Sequence, residues 1–230
     1  YRLYFHKIRF DLPMLKQIIA NGLPAGFQNS VIALANVVVQ TNINAFGKMA
    51  MAGCGAYSKI EGFGFLPVNC FTMALTTFVS QNLGAKEYER AKKGAKFGIL
   101  CSISIAELIG IVIYAAAPLL ISAFNSDPDV VAYGAAQART VTLFYFLLAF
   151  SHCIAAILRG SGKSAIPMVV MLCVWCILRV TYITVTVHFI PDIRVVFWAY
   201  PLTWSISSAI FLVLFLRGKW VYGFENTTNA

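Results

Sequence analysis

FGILCSISIAELIGIVIYAAAPLLI, residues 97–121, holds a single charged side chain, Glu107, in a run long enough to cross a bilayer. The hydrocarbon core is about 30 Å thick and takes ~20 helical residues. Five stretches of the same kind flank this one, so the sequence predicts six spans, at 18–46, 56–81, 97–121, 135–157, 165–189 and 195–216. The expected fold class is all-α, a polytopic membrane helix bundle. A soluble helical core would need a wet face along most helices, and Ile109–Ile121 and Phe211–Leu216 have none. Composition agrees: 59% of residues are hydrophobic, 12% are charged and the mean hydropathy is +0.74.

The net charge of +9 would suit nucleic acid if the basic residues formed one patch, but they alternate between the two ends of the spans. Thirteen of the 18 Lys and Arg fall on one side: Arg2, Lys7, Arg9 and Lys16 before the first span; Lys86, Arg90, Lys92, Lys93 and Lys96 after the second; Arg159 and Lys163 after the fourth; Arg217 and Lys219 after the last. The opposite loops hold Lys48 and Arg194 with Asp127, Asp129 and Asp192. By the positive-inside rule both ends are cytoplasmic, in a multi-pass protein of the cell's inner (plasma) membrane, and no nucleic-acid partner is implied. Residues 1–17 are expected to be a cytoplasmic linker lying on the membrane surface, 18–217 the transmembrane unit and 218–230 a cytoplasmic tail. Tyr1–Asp11 has no apolar signal-peptide core, and a start at Tyr1 reads as part of a longer polypeptide.

Several motif-like stretches are excluded by context. Cys173-Val174-Trp175-Cys176 has redox spacing, but in an apolar helix without the strand-turn-helix setting or basic neighbours of a reactive thiol. Gly160-Ser161-Gly162-Lys163-Ser164 resembles the end of a phosphate loop, yet Ile157 stands where that loop needs glycine, and a membrane helix precedes it. Asn226-Thr227-Thr228 is a glycosylation sequon on the cytoplasmic side. No metal-spaced cluster or nucleophile constellation points to an enzyme.

Function then rests on polar groups inside the spans, where burial is costly. The first span contains Gln28, Asn29, Asn36, Gln40, Asn42 and Asn44, and Asn29, Asn36, Gln40 and Asn44 fall within ~80° of one another on one helical face. That face is either interhelical glue or the amide wall of a wet cavity. In the second span Glu61 shares a face with Thr72 and Thr76, while Lys59 points nearly opposite and can snorkel. Glu61 is either a partnered structural carboxylate or a protonatable, cation-attracting group. Glu107 and Arg179 lie near mid-span, where a buried ion pair between them is conceivable, and a structural role is favoured over transport chemistry. His152 reads as a packing residue that could also carry protons. Pro24, Pro67, Pro118, Pro167 and Pro201 punctuate the spans, with Pro67 and Pro201 deep enough to bend them.

Gly22-Leu23-Pro24-Ala25-Gly26, Lys59-Ile60-Glu61, Gln81-Asn82-Leu83-Gly84-Ala85-Lys86 with Arg90-Ala91-Lys92-Lys93-Gly94, and Leu158-Arg159-Gly160-Ser161-Gly162 continuing to Ile166-Pro167-Met168 together resemble the multidrug and toxic compound extrusion (MATE) family. Arg179 also falls where bacterial members often have an arginine. The resemblance implies two six-helix lobes with a substrate path between them, of which this chain is the second, the C-lobe. It also implies efflux of amphiphilic or cationic compounds driven by Na⁺ or H⁺, without another cofactor, and an N-terminal six-helix lobe and membrane lipid as partners.

On this reading Glu61 is the carboxylate of the lobe, and Asn36, Gln40, Asn44 and Thr72 are polar cavity groups. Tyr57 and Phe71 supply aromatic surface. Gln81–Gly94 is expected to be a cytoplasmic hinge suited to the anionic inner leaflet. The alternative within the wider superfamily, a lipid-linked oligosaccharide flippase, needs a cationic cavity for pyrophosphate.

Overall fold

The computed structural model describes residues 11–217 and 220–222. Six helices are long and apolar enough to cross a membrane: α1 Leu12–Asn44, α2 Lys48–Gly84, α3 Tyr88–Ser122, α4 Pro128–Gly160, α5 Ala165–Phe189 and α6 Ile193–Arg217. The described residues contain no β-strand. Links of three to five residues join successive helices.

The six spans stand where hydropathy predicts them, but most helices run past the apolar run at one or both ends. α1 begins at Leu12 rather than at residue 18, because Asp11 caps it by accepting the Met14 N–H at 3.1 Å and Pro13 sits in the first turn. Residues 12–17 of the expected linker are therefore helix; residues 1–10 of that linker lie outside the described residues. Of Gln81–Gly94, the stretch expected to be a hinge, only Ala85–Glu87 lies outside the helices. Lys86 makes the turn with φ of 61°, and the following Glu, Arg, Lys and Ala residues are strong helix formers that extend α3 into the basic region. Of the tail, Trp220–Tyr222 forms a short 3₁₀ turn whose Trp220 stacks on Phe215 at 5.5 Å, and the rest lies outside the described residues.

Lipid is as apolar as leucine, so the bundle is held by close packing and hydrogen bonds rather than by water exclusion. α4 is the central post. Its run Cys153–Leu158 is buried on every side, as expected of a helix without a polar stripe. Glycines let its neighbours approach: a Cβ on Gly53 of α2 would overlap the Val130 carbonyl, one on Gly134 would lie 2.8 Å from the Gly53 carbonyl, and one on Gly160 would lie 2.6 Å from the Thr76 carbonyl. α2 and α4 therefore touch backbone to backbone near both ends of α4. On the outside, Phe63, Met73, Phe97, Leu108, Leu119 and Leu216 are exposed, the inverted surface of a protein solvated by acyl chains.

Two helices are interrupted. In α4 a 3₁₀ segment, Thr142–Phe144, separates Pro128–Val141 from Tyr145–Gly160. In α5 a π-helical segment, Leu172–Leu178, separates Ala165–Met171 from Arg179–Phe189. It widens the helix and re-aims its side chains, a feature common where helices build sites.

Candidate functional site

A cavity of about 380 Å³ opens among α1, α2, α4, α5 and α6, near the lower end of the range for small-molecule sites. It lies toward the acidic-loop side of the bundle, since its walls come from the second half of α1 and the first halves of α2 and α6.

α1 supplies Asn29, Asn36 and Gln40. The buried positions of this helix, Gln28, Ala35, Val39 and Ile43, repeat at spacings of seven and four and form one stripe against the bundle. The amides sit on the flank of that stripe, so they face the chamber while Leu23, Leu34 and Val37 face outward. Gln28 serves as glue, its Nε2 donating to the Met171 sulfur at 2.6 Å. Asn44, one turn beyond Gln40, does not line the chamber; it accepts the Gln40 Nε2 hydrogen bond at 2.9 Å and orients that amide.

α2 contributes Ser58, Glu61 and Phe65. Glu61 is braced from behind: the Tyr57 hydroxyl donates to its Oε1 at 3.3 Å and pairs with the Tyr145 hydroxyl at 3.0 Å. Tyr57 is wholly buried, so it presents no surface to the chamber and acts as the anchor of the carboxylate. Phe71 and Thr72 do not line the chamber either. They share or adjoin the azimuth of Glu61 but lie ~15 Å further along the axis, at 1.5 Å per residue. Thr72 Oγ1 donates to the Asn69 carbonyl at 2.7 Å.

The far wall is aromatic and basic. Trp175 and Arg179 on α5, Tyr200 and Trp204 on α6, and Gln137 and His152 on α4 complete the lining. Arg179 is 2% exposed and donates from Nε and Nη2 to Thr203 Oγ1 at 3.3 and 3.0 Å. The Thr203 hydroxyl donates in turn to the Ala199 carbonyl at 2.8 Å. The guanidinium carbon lies 4.7 Å from the Tyr200 ring centre and 5.3 Å from that of Trp175, inside cation–π range. Trp175 is fixed by its Nε1–H bond to Ser207 at 3.1 Å, and Ser207 and Ser208 both pair with Ser151, tying α4, α5 and α6 together behind the wall. His152 stands edge-on between Phe65 at 5.9 Å and Trp175 at 5.3 Å.

Glu107 and Arg179, for which an ion pair was conceivable, do not form one. Glu107 Oε2 instead accepts the Phe146 N–H at 3.1 Å, an amide freed by the 3₁₀ break in α4. Among the described residues the only ion pair within 4.0 Å is Lys92–Glu89, and no cluster of three His, Cys, Asp or Glu could hold a metal. Arg179, Trp175, Tyr200, Trp204 and Gln137 were not legible as cavity residues from composition or charge. The four-residue spacings Trp175 to Arg179 and Tyr200 to Trp204 are the signal that would have put them on helix faces.

The MatE family model matches residues 24–185, most of the chain. The chain belongs to the MatE family. Two MatE relatives are the probable multidrug resistance protein YoeA of Bacillus subtilis, 25% identical over 87% of this chain and 43% of that protein, and the probable multidrug resistance protein NorM of Thermotoga maritima, 26% identical over 89% and 44%. The solved structure of a MATE protein in its bent conformation superposes with a TM-score of 0.85 at 18% identity, covering 99% of this chain and 50% of that one. The chain spans about half the length of the MatE proteins it matches.

Proposed function

We propose that this chain is the C-terminal lobe of a secondary active transporter that expels small amphiphilic or cationic compounds across the inner (plasma) membrane, exchanging them for Na⁺ or H⁺ by alternating access. An N-terminal six-helix lobe of the same protein is its partner and closes the other side of the chamber. Both ends of this segment lie in the cytoplasm. The observation that carries the reading is that Glu61 lines the same chamber as the amides of Asn36 and Gln40. A lone acid beside neutral amides can hold a cationic substrate, a sodium ion or a proton, one at a time. Competition for one carboxylate couples them, because each occupant shifts the inward and outward populations in its own direction. Bracing by Tyr57 keeps the carboxylate aimed at the chamber while its occupant changes. A pyrophosphate-carrying flippase is less well supported, since Arg179 is the one Lys or Arg of the lining.

The test is drug efflux from proteoliposomes under separately imposed Na⁺ and pH gradients, for the intact protein and its Glu61→Gln variant. Loss of gradient-driven efflux in the variant, with binding of a neutral analogue kept, is expected. Coupled efflux at the parent rate in Glu61→Gln would remove Glu61 from the mechanism.

A further inference from the structure

Away from the chamber, a groove of about 520 Å³ lies between α2 and α3 near the turn that joins them, lined by Phe78, Glu89, Arg90, Lys93, Gly94 and Phe97. Arg90, Lys93, Gly94 and Phe97 follow at steps of three, one and three and share one face of α3. Ala91 and Ala95 turn the other way and are fully buried against the bundle. Gly94 has no side chain, so the half-buried Phe78 ring of α2 lies against α3 and forms the floor of the groove.

The groove changes polarity along its length. Phe97 opens the apolar run of α3 and is 70% exposed. At 1.5 Å per residue, Lys93 and Arg90 stand about 6 and 10 Å beyond it along the axis, and the polar layer on each side of a bilayer is about 5–8 Å deep. The two cations are therefore at headgroup level when the two rings are at the top of the acyl chains. Their charge is not met within the protein: Glu89, the one acid of the lining, is taken by Lys92 at 2.8 Å, and among the described residues neither Arg90 nor Lys93 has a carboxylate within 4.0 Å. The bond to Lys92, with the further charges of Lys93 and Lys96, holds the Glu89 carboxyl below its ordinary range, as an excess of positive charge at this level would.

We propose that this groove binds one anionic phospholipid, its phosphate held between Arg90 and Lys93 and one acyl chain laid along Gly94 and Phe97 over the Phe78 ring. The guanidinium fork matches phosphate oxygens, and the lysine adds a point charge beside it. A zwitterionic phospholipid offers the same phosphate but carries a cationic group that this cluster repels, so the site discriminates by headgroup. The inference is independent of what the chamber transports.

Native mass spectrometry of the intact protein in detergent counts bound lipids and gives the affinity for the first, with phosphatidylglycerol and phosphatidylcholine of identical acyl chains as probes. Phosphatidylglycerol is expected to fill one site about tenfold more tightly than phosphatidylcholine, as for two basic side chains at a membrane surface. Arg90→Gln with Lys93→Gln should erase that preference, and each substitution alone should lose part of it. Lys16→Gln with Arg217→Gln, which removes the same charge from other exposed positions on the basic side, should keep it. Phe97→Ala should weaken both lipids severalfold while the preference between them stays. Equal affinity of the parent protein for the two lipids would overturn the site, and so would a preference lost to the same degree in both double variants, which is diffuse attraction to the whole basic side. Displacement of phosphatidylglycerol by an excess of glycerol 3-phosphate, with no effect of Phe97→Ala, would mark a site for soluble phosphates and overturn the lipid assignment.

Discussion

Tyr57 illustrates how a residue chosen for one task turns out to perform another. Its hydroxyl bridges Glu61 and Tyr145, so Tyr57→Phe leaves a buried tyrosine and the carboxylate each short of one hydrogen bond. The expected cost is about 1–3 kcal/mol, read as a lower thermal midpoint in detergent. A severalfold loss of gradient-driven efflux should accompany it if the orientation of Glu61 matters. Azimuth alone identified Glu61, Asn36 and Gln40, because a polar side chain on a helix face that cannot meet lipid must meet something else. Azimuth could not settle the lining: Thr72 is buried with its hydroxyl spent on the Asn69 carbonyl, and neither it nor Phe71 borders the chamber. Arg179 was legible as a mid-span charge but not as a chamber residue. Its partners, Thr203 and two aromatic rings, carry no charge, so pairing opposite charges along the sequence led to Glu107 instead.

The interruptions within helices were not legible at all. Thr142–Phe144 and Leu172–Leu178 contain no proline or glycine, so neither carries a local signal for a break. At the first, Glu107 supplies the acceptor for the stray Phe146 amide, and Gly110, one turn along the same face of α3, lets Thr142 come close. A Cβ on Gly110 would overlap the Thr142 carbonyl, which is backbone and cannot swing aside. Gly110→Ala is therefore expected to cost about 1–3 kcal/mol by forcing α3 from α4. Gly94→Ala meets only the edge of the Phe78 ring, which can rotate away, and should cost clearly less. Thermal unfolding of the two variants side by side checks the ordering; equal losses would mean that the α3–α4 contact is looser than its geometry. The ends of the helices diverged from the apolar runs because caps and helix-forming residues, not hydropathy, stop a helix. Asp11 and the Glu-Arg-Lys stretch after Glu87 extend α1 and α3 into polar sequence.

For the whole molecule, the number and order of the crossings followed from lipid thickness, which imposes the same length on every span. Orientation is a separate matter, and it has a direct test. With native cysteines replaced, Glu87→Cys should react with a membrane-impermeant maleimide only from the cytoplasmic face, and Asn125→Cys and Asp192→Cys only from outside; all three are exposed turn positions. The reverse pattern would invert the side of the membrane to which the chamber lies nearer. The turns have a mechanical meaning as well. A link of three residues reaches at most about 10 Å when taut, so Ala45–Gly47, Ala85–Glu87 and Ile190–Asp192 act as inextensible tethers. On such leashes α1 and α2, α2 and α3, and α5 and α6 keep their shared ends together, so a full-turn slip between the members of these pairs is barred and relative movement within each is left to bending and hinging.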